Sequence, residues 1–375
     1  MAIWSVADQS GASPIIYRKR WNQTQRKIPT LRLISQMDQI KRADTPNNIT
    51  WGATFDGQNA AAVNLDGGAF LAPTSDQAVP TTLVYGSYSA PVRFTDDIVW
   101  KLSQNSGADV SINAMLAEPI QENVMNAGAK ALKVFNQHIF IGSGSSNQMV
   151  GAATALAASG TYAGIAASSQ SQWASTVTAN GGVLQSLTLG RVKTLLETVS
   201  NGSSEGRPDF AVCRGPVFSA WGNLFEQFTQ VPVVLGVGPA TPRQRVDMTP
   251  QAITLTGSVV KSDGFRVMYW ANENLYILED NDAVDQGATN ANNSIFFFNS
   301  MNMEFLYLPP PSMGPRATEH RPMTAAEQDM GELANIPFDF VARGRTDYSD
   351  TFDMMAKCSI VFRSRNAHAK LQDQQ

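Results

Sequence analysis

Residues 109–144 read DVSINAMLAEPIQENVMNAGAKALKVFNQHIFIGSG, and their apolar positions recur with the spacing of an α-helix. A mostly apolar stripe returns at steps of three and four residues through Ile112, Leu116, Ile120, Val124, Gly128, Leu132, Phe135 and Ile139. At about 1.5 Å per residue, the stretch predicts a helix of about 50 Å, which is long for a globular domain. Pro119 predicts either a kink or a regular helix that starts near Glu118, and Gly142 and Gly144 predict its end.

The segment before this helix, residues 45–92, is typical of extended strands and turns, with five glycines and four prolines. Strands are predicted at 51–55 and 81–85, and Asn64-Leu-Asp-Gly-Gly68 predicts a hairpin tip between them. The segment has few large apolar residues, so it cannot build a core of its own, and an isolated two-stranded ribbon is marginal in water. Two interpretations stay open: a long hairpin that projects onto a neighbouring molecule, or a pair of strands packed on this chain's own body.

The segment after the helix predicts a mixed α/β arrangement. Residues 142–186 are rich in Gly, Ala and Ser, with Tyr162, Trp173 and Val177 as anchors. A helix is predicted from the N-cap Thr188 to Ser200, with a stop at Asn201-Gly202, followed by a buried strand and a helix at 216–229. The predicted strands are 209–213, 253–256, 265–270, 275–278, 295–298, 303–308 and one long final strand within 354–370. The fold class predicted from this order is α+β.

The composition favours a chain whose surface is covered by partners. Hydrophobic residues make up 43% of the chain, and only 16% of its residues are charged, against about 25% in an average soluble protein. Charged residues are those that the cores of interfaces lose, so a sparsely charged surface suits a protein that makes many contacts. A disordered chain would need low hydrophobicity and high net charge instead.

Several classes of protein are not favoured by the sequence. No apolar run reaches the roughly 18 residues of a membrane span, and the N-terminus lacks the basic and apolar regions of a secretion signal. Two cysteines, Cys213 and Cys358, do not make a disulfide framework, and reduced thiols of a cytoplasmic protein are expected. The histidines are only His138, His320 and His368, which are far apart in sequence, so neither a metal site nor a cofactor is predicted.

The net charge of −4 hides an asymmetry between the N-terminus and the rest of the chain. Residues 1–45 hold three acidic residues and eight basic ones, so they carry +5 and the remainder carries −9. The basic residues are Arg18, Lys19, Arg20, Arg26, Lys27, Arg32, Lys41 and Arg42. A basic arm on an acidic body suggests contact with nucleic acid or with an acidic surface. A solvated charged face is the alternative.

Motifs that suggest an enzyme lack the structural context that the chemistry needs. Gly202-Ser-Ser-Glu-Gly206 matches the G-x-S-x-G pattern of a nucleophile elbow, which would make Ser204 the nucleophile. The elbow requires a strand before it and a helix after it, and the predicted order here is the reverse, so Gly202 is interpreted as a helix C-cap. The carboxylates of Asp96-Asp97 and of Asp280 and Asp282 are interpreted as solvated turn residues. No complete catalytic set is found, and this favours a protein that works by assembly.

The order of these segments resembles that of the major capsid proteins of tailed bacteriophages. Local stretches are similar as well: Ile141-Gly-Ser-Gly144 followed by Gln148-Met-Val-Gly151, Tyr162-Ala-Gly-Ile165 leading to Trp173, Arg207-Pro-Asp-Phe-Ala-Val212, and Phe362-Arg-Ser-Arg-Asn-Ala-His-Ala369. The resemblance covers residues 45–371. Each motif is weak alone, and the argument rests on their order.

The resemblance implies the Hong-Kong-97-type fold. It implies an N-terminal arm (1–45), an extended β-hairpin loop (46–95), a peripheral domain with a long spine helix (96–186), a mainly axial domain (187–340) and a return strand of the peripheral domain (341–375). The implied function is assembly of many copies, as hexamers and pentamers, into an icosahedral shell around double-stranded DNA.

The resemblance also implies partners and contact residues. A separate scaffolding protein, a portal protein and decoration proteins are possible partners, the packaged DNA is contacted without sequence specificity, and no membrane is involved. Candidate interior or inter-subunit electrostatic contacts are Arg18, Lys19, Arg20, Arg26 and Lys27, and candidate inter-subunit residues of the extended loop are Asp56, Asn64, Asp66 and Phe70. The expected location is the virion capsid, assembled in the host cytoplasm.

The sequence departs from the resemblance at two points. Some members of the family cross-link subunits through a lysine of the extended loop, but Arg93 is the only basic residue between Arg42 and Lys101. No cross-link of that kind is expected. Some members carry a cleaved scaffolding region before the arm, whereas here the arm starts almost at Met1, which predicts either a mature form or a separate scaffolding protein. Another structural virion protein, such as a decoration or connector subunit, and a hydrolase with an unrecognised site are the alternatives.

Overall fold

A computed structural model describes residues 28–43, 45, 47–55, 78–95, 112–203, 206–229, 254–255, 258–259, 266–270, 273–309, 339–346 and 349–375. The helices of this part are α1 (Pro29–Gln36), α2 (Ile112–Ile141), α3 (Ala152–Ala155), α4 (Leu189–Gly202) and α5 (Gly215–Thr229). The strands up to the fourth helix are β1 (Ile40–Arg42), β2 (Asn48–Ala53), β3 (Val79–Val84), β4 (Gly86–Thr95), β5 (Thr161–Tyr162), β6 (Ile165–Ala166) and β7 (Thr176–Thr178). The later strands are β8 (Phe210–Cys213), β9 (Thr254–Leu255), β10 (Ser258–Val259), β11 (Val267–Trp270), β12 (Leu275–Glu279), β13 (Ile295–Phe298), β14 (Met303–Leu308), β15 (Asp339–Thr346), β16 (Ser349–Phe362) and β17 (Ala369–Leu371).

The long helix predicted from the apolar stripe is confirmed as α2. It runs through Pro119, so the alternative in which it starts near Glu118 is wrong. A proline inside a helix destabilises the helix by about 3 kcal/mol. Burial of one large apolar side chain stabilises the fold by about 1.5–3 kcal/mol. Phe135 and Ile139 of the stripe are fully buried, so packing of the stripe outweighs the proline.

The helix ends where the glycines predict, because a Cβ atom does not fit at Gly142 or at Gly151, the two ends of the loop that follows. A Cβ atom on Gly142 would lie 2.2 Å from the Met149 carbonyl oxygen, and one on Gly151 would lie 2.6 Å from the Phe140 carbonyl oxygen. The Gly151 N–H donates to the Gly142 carbonyl over 2.8 Å. The loop therefore folds back directly onto the end of α2.

Two larger sheets organise the described part of the chain. One has five strands: β1, β14, β16 and β15 pair in that order, and β4 also pairs with β16. The other has six strands in the order β11-β12-β8-β13-β17-β7 and mixes parallel and antiparallel pairs. The fold is therefore mixed α+β, as predicted.

The core lies on both faces of the six-stranded sheet. Strand β13 is apolar throughout: Phe296 and Phe298 point into the main cluster, which also contains α1, α2 and β14, whereas Ile295 and Phe297 pack with α4 and α5. Side chains alternate between the faces of a strand, so a strand buried on both faces reads as a continuous apolar run. This is why Ile-Phe-Phe-Phe predicts a central strand.

The described parts of the segment 45–92 pack on this chain's own body. Strands β2 and β3 form an antiparallel pair, and β4 pairs with β16 from Gly86–Cys358 to Thr95–Ser349. Ile49, Leu83 and Tyr85 are buried in the main cluster. The interpretation in which the whole segment projects onto a neighbour is therefore wrong for these parts. Strand β16 supplies backbone hydrogen bonds to β4, and the main cluster supplies the apolar contacts of Ile49, Leu83 and Tyr85.

Two finer predictions need correction, that of the final strand and that of Gly202 as a C-cap, whereas Thr188 is confirmed as the N-cap residue of α4. The final strand predicted within 354–370 is two strands in different sheets, β16 and β17, separated by a 3-10 turn at Arg365–Ala367. The side chain of Thr188 occupies the N-cap position of α4 without making a capping hydrogen bond. Helix α4 includes Gly202, so Ser203 is the C-cap.

Within the segment 1–45 that the resemblance assigns to an arm, residues 28–43 belong to the folded body. Leu31 and Ile34 of α1 are fully buried in the main cluster. Strand β1 pairs in parallel with β14, from Ile40–Phe305 to Arg42–Tyr307. The basic residues Lys41 and Arg42 are therefore part of the body.

Candidate functional site

All of the predicted contact residues lie outside the described part of the chain. These are Arg18, Lys19, Arg20, Arg26 and Lys27 of the arm, and Asp56, Asn64, Asp66 and Phe70 of the extended loop. The structure does place the points where both segments join the body, at Ile28 and at the β2–β3 pair. It also places the motifs that carry the resemblance.

The start of α1 is held by a buried polar cluster, which we call the arm anchor and define as Thr30, Asn136, Asp280 and Asp282. The Thr30 hydroxyl donates to Asp280 Oδ2 over 2.6 Å, and the Thr30 N–H donates to the same oxygen over 3.3 Å. Asn136 Nδ2 donates to Asp280 Oδ2 over 2.9 Å and to Asp282 Oδ2 over 3.0 Å. Three elements, α1, α2 and the turn after β12, meet in this cluster.

The arm anchor acts as an N-cap that is supplied by distant parts of the chain. The residue before α1, Ile28, has no side chain that can cap, and Pro29 has no N–H. The first free N–H groups of the helix belong to Thr30 and Leu31, and they donate to Asp280 and to Asn136 Oδ1, the latter over 3.1 Å. An N–H at a helix start that has no intrahelical partner needs such an acceptor when it is buried.

The anchor corrects the interpretation of Asp280 and Asp282 as solvated turn residues. Asp280 is 1% exposed and Asp282 is 8% exposed. Burial raises the pKa of Asp280 to about 6, against the opposing effect of its hydrogen bonds from Thr30, Asp282 and Asn136. The sequence offers only a weak hint of this role, in that Asp280 directly follows a strand of buried residues.

The base of the extended loop is fixed by aromatic and hydroxyl contacts. Trp51 Nε1 donates to the Arg363 carbonyl over 3.3 Å, and the Thr81 hydroxyl donates to the Trp51 carbonyl over 2.7 Å. The ring of Phe55 lies edge-on against Trp173, with centroids 5.8 Å apart. The loop thus leaves the body from a defined platform.

Two of the motifs that carry the resemblance, residues 162–173 and 362–369, meet in space in a group that we call the C-terminal hub. It contains Tyr162, Trp173, Asn299, Arg365 and His368, which are all buried. The Phe362 N–H donates to the Tyr162 hydroxyl over 2.9 Å, and Trp173 Nε1 donates to the Tyr162 carbonyl over 3.2 Å. Stretches that are up to 206 residues apart in sequence therefore share one structural role.

Arg365 is the central cation of the hub. It is fully buried, and its guanidinium donates to the carbonyl oxygens of Ala155, Ala157 and Ser159. Burial lowers its pKa to about 10, so the group is still charged at pH 7. Arg365 thereby satisfies one carbonyl at the end of α3 and two in the turn that follows.

His368 occupies an aromatic cage beside Arg365. Its ring lies edge-on to Phe362 and Phe298, with centroids 5.1 and 6.1 Å away, and its Nδ1 accepts the Asn299 N–H over 3.1 Å. Burial lowers its pKa to about 3. The ring is therefore neutral in the folded chain throughout the physiological range.

Acidification is expected to destabilise the wild-type chain relative to the His368→Gln variant. The unfolded histidine takes up a proton below about pH 6.5, whereas the folded one does so only near pH 3, so stability is lost as the pH falls through this window. The expected relative loss is about 1.4 kcal/mol per pH unit, or about 3 kcal/mol between pH 6.5 and 4. Denaturant unfolding at several pH values measures it.

Asp280 has the opposite pH dependence, because its pKa is raised in the folded chain and its protonation stabilises the fold as the pH falls through about 6. It is present in both proteins, so it cancels in the comparison. His138→Gln serves as the control, since the His138 ring is only half-buried and we expect a smaller effect. Equal pH profiles for wild type and His368→Gln would refute the prediction.

A charged network lies across the edge of the sheet that contains β1. Glu304 of β14 accepts from Lys41 of β1 over 2.8 Å and from Arg363 Nε over 2.8 Å. Burial alone would raise the pKa of Glu304. The hydrogen bonds and charges of Lys41 and Arg363 outweigh burial, so the pKa of Glu304 is lowered. One of the basic residues assigned to the arm is thus paired with an acidic residue of its own body.

The described residues offer little for catalysis. Cys213 and Cys358 are free but fully buried, and burial raises the pKa of both thiols. Ser204 lies outside the described residues, while α4 precedes it and β8 follows it, which is the reverse of the order in a nucleophile elbow. Within the described ranges, no group of three His, Cys, Asp or Glu side chains could hold a metal ion. In the same part of the chain, every helix is too short or too polar to cross a membrane.

The fold is similar to that of capsid proteins in solved structures. The capsid subunit of cyanophage A-1(L) matches with a TM-score of 0.65 at 13% identity, over 94% of this chain and 95% of that one. The capsid of a native GTA particle matches with a TM-score of 0.53 at 12% identity, over 95% of this chain and 94% of that one. The capsid of an empty GTA particle matches with a TM-score of 0.51 at 11% identity, over the whole of both chains. No protein-family model and no curated protein sequence matches the chain.

These likenesses define a class of fold: the chain has the mixed α+β fold of phage capsid proteins, as the sequence resemblance implies. The match extends over nearly the full length of both chains, so the likeness is not confined to one part of the fold.

Proposed function

We propose that this chain is the major capsid protein of a double-stranded DNA bacteriophage, many copies of which assemble into an icosahedral shell. The observation that carries the proposal is the fold likeness to the cyanophage A-1(L) capsid subunit over 94% of the chain. The low fraction of charged residues supports it independently, because a shell subunit has neighbours on most of its edges. The protein works by assembly, not as an enzyme.

The domain assignment follows the resemblance. The arm is residues 1–45, the extended loop is 46–95, the peripheral domain with its spine helix is 96–186, the mainly axial domain is 187–340 and the return strand is 341–375. The long helix α2 and the β2–β3 pair support the spine and the loop, respectively. The subunit is part of the virion capsid and is assembled in the host cytoplasm.

Negative-stain microscopy of the purified protein tests the proposal. Closed shells of uniform size are the expected result. Rings or trimers alone would favour a connector or decoration protein, and a monomer or small oligomer with hydrolytic turnover would favour an enzyme. Either result would overturn the proposal.

The extended loop is proposed to contact neighbouring subunits through the part that includes Asn64, Asp66 and Phe70. Deleting residues 59–74 is expected to leave a folded subunit, because the base at β2 and β3 is held by the body, but one that cannot complete shells. Circular dichroism measures the folding, and microscopy measures the shells. Normal shells from the deletion variant would contradict this role.

The basic arm is proposed to line the shell interior, where it contacts DNA phosphates or an acidic scaffolding protein without sequence readout. Replacing Arg18, Lys19, Arg20, Arg26 and Lys27 with Gln is then expected to leave empty shells intact but to reduce DNA packaging or scaffold recruitment several-fold. The DNA content of purified particles measures the effect. If the shells themselves fail to form, the arm pairs with the acidic bodies of neighbouring subunits. If the variant forms normal particles filled with DNA, both roles are wrong and the arm is a charged face exposed to solvent.

A further inference from the structure

One sector of the chain carries no ionised side chain. Between Lys133 and Arg191 lie 57 residues without an Asp, Glu, Lys or Arg, whereas the average of 16% would place about nine there. The one titratable imidazole, that of His138, is half-buried, and burial lowers its pKa. All of these residues belong to the described part of the chain.

Much of this sector is at the surface and is not core. Exposed residues recur in the loops at 143–147, 158–161 and 178–181, and again at 183 and 184. We call these exposed residues the charge-free surface. A soluble monomer normally covers its surface with interspersed charges, and their absence promotes association. Depletion of charge is the compositional mark of an interface core.

The charge-free surface includes an apolar tip. Val183 is 64% exposed and Leu184 is 40% exposed, although both are large apolar residues. Two adjacent exposed residues of this kind, within a stretch that has no charged side chain of its own, form a patch that water disfavours.

The tip is held rigid by hydrogen bonds to the C-terminus. The N–H groups of Asn180 and Gly182 donate to Asp373 Oδ2 over 2.9 and 3.0 Å. Asn290 Nδ2 donates to the Gly182 carbonyl over 2.7 Å and to Asp373 Oδ1 over 2.9 Å. Gly181 and Gly182 have φ of 64° and 82°, a conformation that glycine adopts without strain. A preorganised loop loses little conformational entropy when a partner covers it.

We infer that the charge-free surface, with Val183 and Leu184 at its tip, is a contact surface between copies of this chain. The inference rests on the proposed function, in which another copy is the commonest neighbour. Charge decides between the possible occupants. DNA is held mainly by Lys and Arg on phosphates, whereas these exposed residues include neither, and Arg191, which donates to the Ser186 carbonyl near the tip, is a single cation. An uncharged surface can meet the same chain without repulsion between like charges, and a strongly charged partner would leave its own charges unpaired here.

Val183→Asp and Leu184→Asp test the inference by placing a charge on the tip. We expect Val183→Asp to keep the thermal unfolding midpoint of the wild type and Leu184→Asp, whose side chain is more than half covered, to lower it slightly, and we expect both variants to lose shell assembly in negative-stain images. Thr198→Glu is the matched control. It adds the same charge to the exposed face of α4, which already carries Arg191, Lys193 and Glu197, and it should assemble normally.

Thiol labelling provides a second test that does not depend on a disruptive charge. The native cysteines, Cys213 and Cys358, are fully buried, so Val183→Cys adds one accessible thiol. In folded, dissociated subunits it should react with maleimide at the rate of an exposed thiol, and in shells about tenfold or more slowly.

The outcomes separate this inference from the proposed function. Normal shells from both aspartate variants, or equal labelling rates in subunits and shells, would overturn the inference while leaving the proposed function intact. If the aspartate variants form normal shells but these shells fail to bind a second virion protein, the surface is the binding site of that protein. This result would also overturn the inference. If the wild type forms no shells, the proposed function fails. Sedimentation of the wild type and of the same aspartate variants then tests self-association directly. Equal self-association of wild type and variants would overturn the inference.

Discussion

Replacing Arg365 with methionine is expected to lower the free energy of unfolding by about 3–5 kcal/mol, which is enough to leave little folded protein at 37 °C. The guanidinium is fully buried and donates to three carbonyl oxygens, those of Ala155, Ala157 and Ser159. Methionine fills much of the volume but donates nothing, so the buried carbonyl of Ala155 loses its partner at a cost of about 1.5–3 kcal/mol, and the carbonyls of Ala157 and Ser159, which water reaches more easily, add a smaller loss. Chemical denaturation, or the soluble yield if the variant does not fold, measures the effect.

The chain offers a matched control two residues earlier. The Arg363 side chain is 45% exposed and forms an ion pair with Glu304. Nearly half of the Arg363 side chain is exposed, and Glu304, which is buried, keeps Lys41 as a second cation, so Arg363→Met should change stability by no more than about 1 kcal/mol. Similar losses for the two variants would show that burial of Arg365 in the hub is not what stabilises the fold.

Replacing Asp280 with alanine is expected to lower the free energy of unfolding by about 2–4 kcal/mol and to loosen the start of α1. The carboxylate accepts from the Thr30 hydroxyl, the Thr30 N–H, Asn136 Nδ2 and the Asp282 N–H. Alanine leaves these buried donors without an acceptor. The loss is smaller than for Arg365 because burial raises the pKa of Asp280 to about 6, so the carboxylate, although it predominates at pH 7, is less stable in the folded chain than in water.

Denaturant unfolding gives the stability, and hydrogen exchange at the Thr30 and Leu31 amides gives the docking of the helix. Thr30→Val and Thr30→Ser form a matched pair, since valine removes only the hydroxyl bond of 2.6 Å and serine keeps it. We expect a loss of about 1 kcal/mol for valine and little loss for serine. Glu197→Ala, on the exposed face of α4, controls for removal of a carboxylate. Unchanged protection of the two amides in Asp280→Ala would refute the role of the arm anchor.

Elements whose burial shows in their own residues could be predicted closely. The apolar stripe places α2 within three residues of its observed start, and Ile-Phe-Phe-Phe marks β13 at its observed bounds. Periodicity reports which faces of an element are buried, because it is a local consequence of the helix turn or the strand pleat. The motifs and their order also implied the capsid fold that the likeness to solved structures confirms.

The polar contacts could not be predicted in the same way. Asp280 looks like a solvated turn residue in sequence and is 1% exposed in the structure, because α1 and α2, which are 144 or more residues away along the chain, converge on it. The division of the final strand has the same origin. Local composition from 354 to 370 is that of one strand, but the bonds of Arg365 to the turn after α3 and the cage around His368 turn the chain between two sheets.

The residue pattern alone therefore identifies the long elements, the α+β class, the sparse charge and the motif order that implies a capsid subunit. The partners of the polar groups came from the tertiary fold: Asp280 at the start of α1, the carbonyls around Arg365, and the Arg363 carbonyl for Trp51 at the base of the extended loop. The two kinds of feature differ in their range along the chain. Hydrophobic periodicity depends on neighbours within two turns, whereas a buried donor or charge is tolerated only where a partner arrives from elsewhere in the chain, and folding alone determines which residues those are.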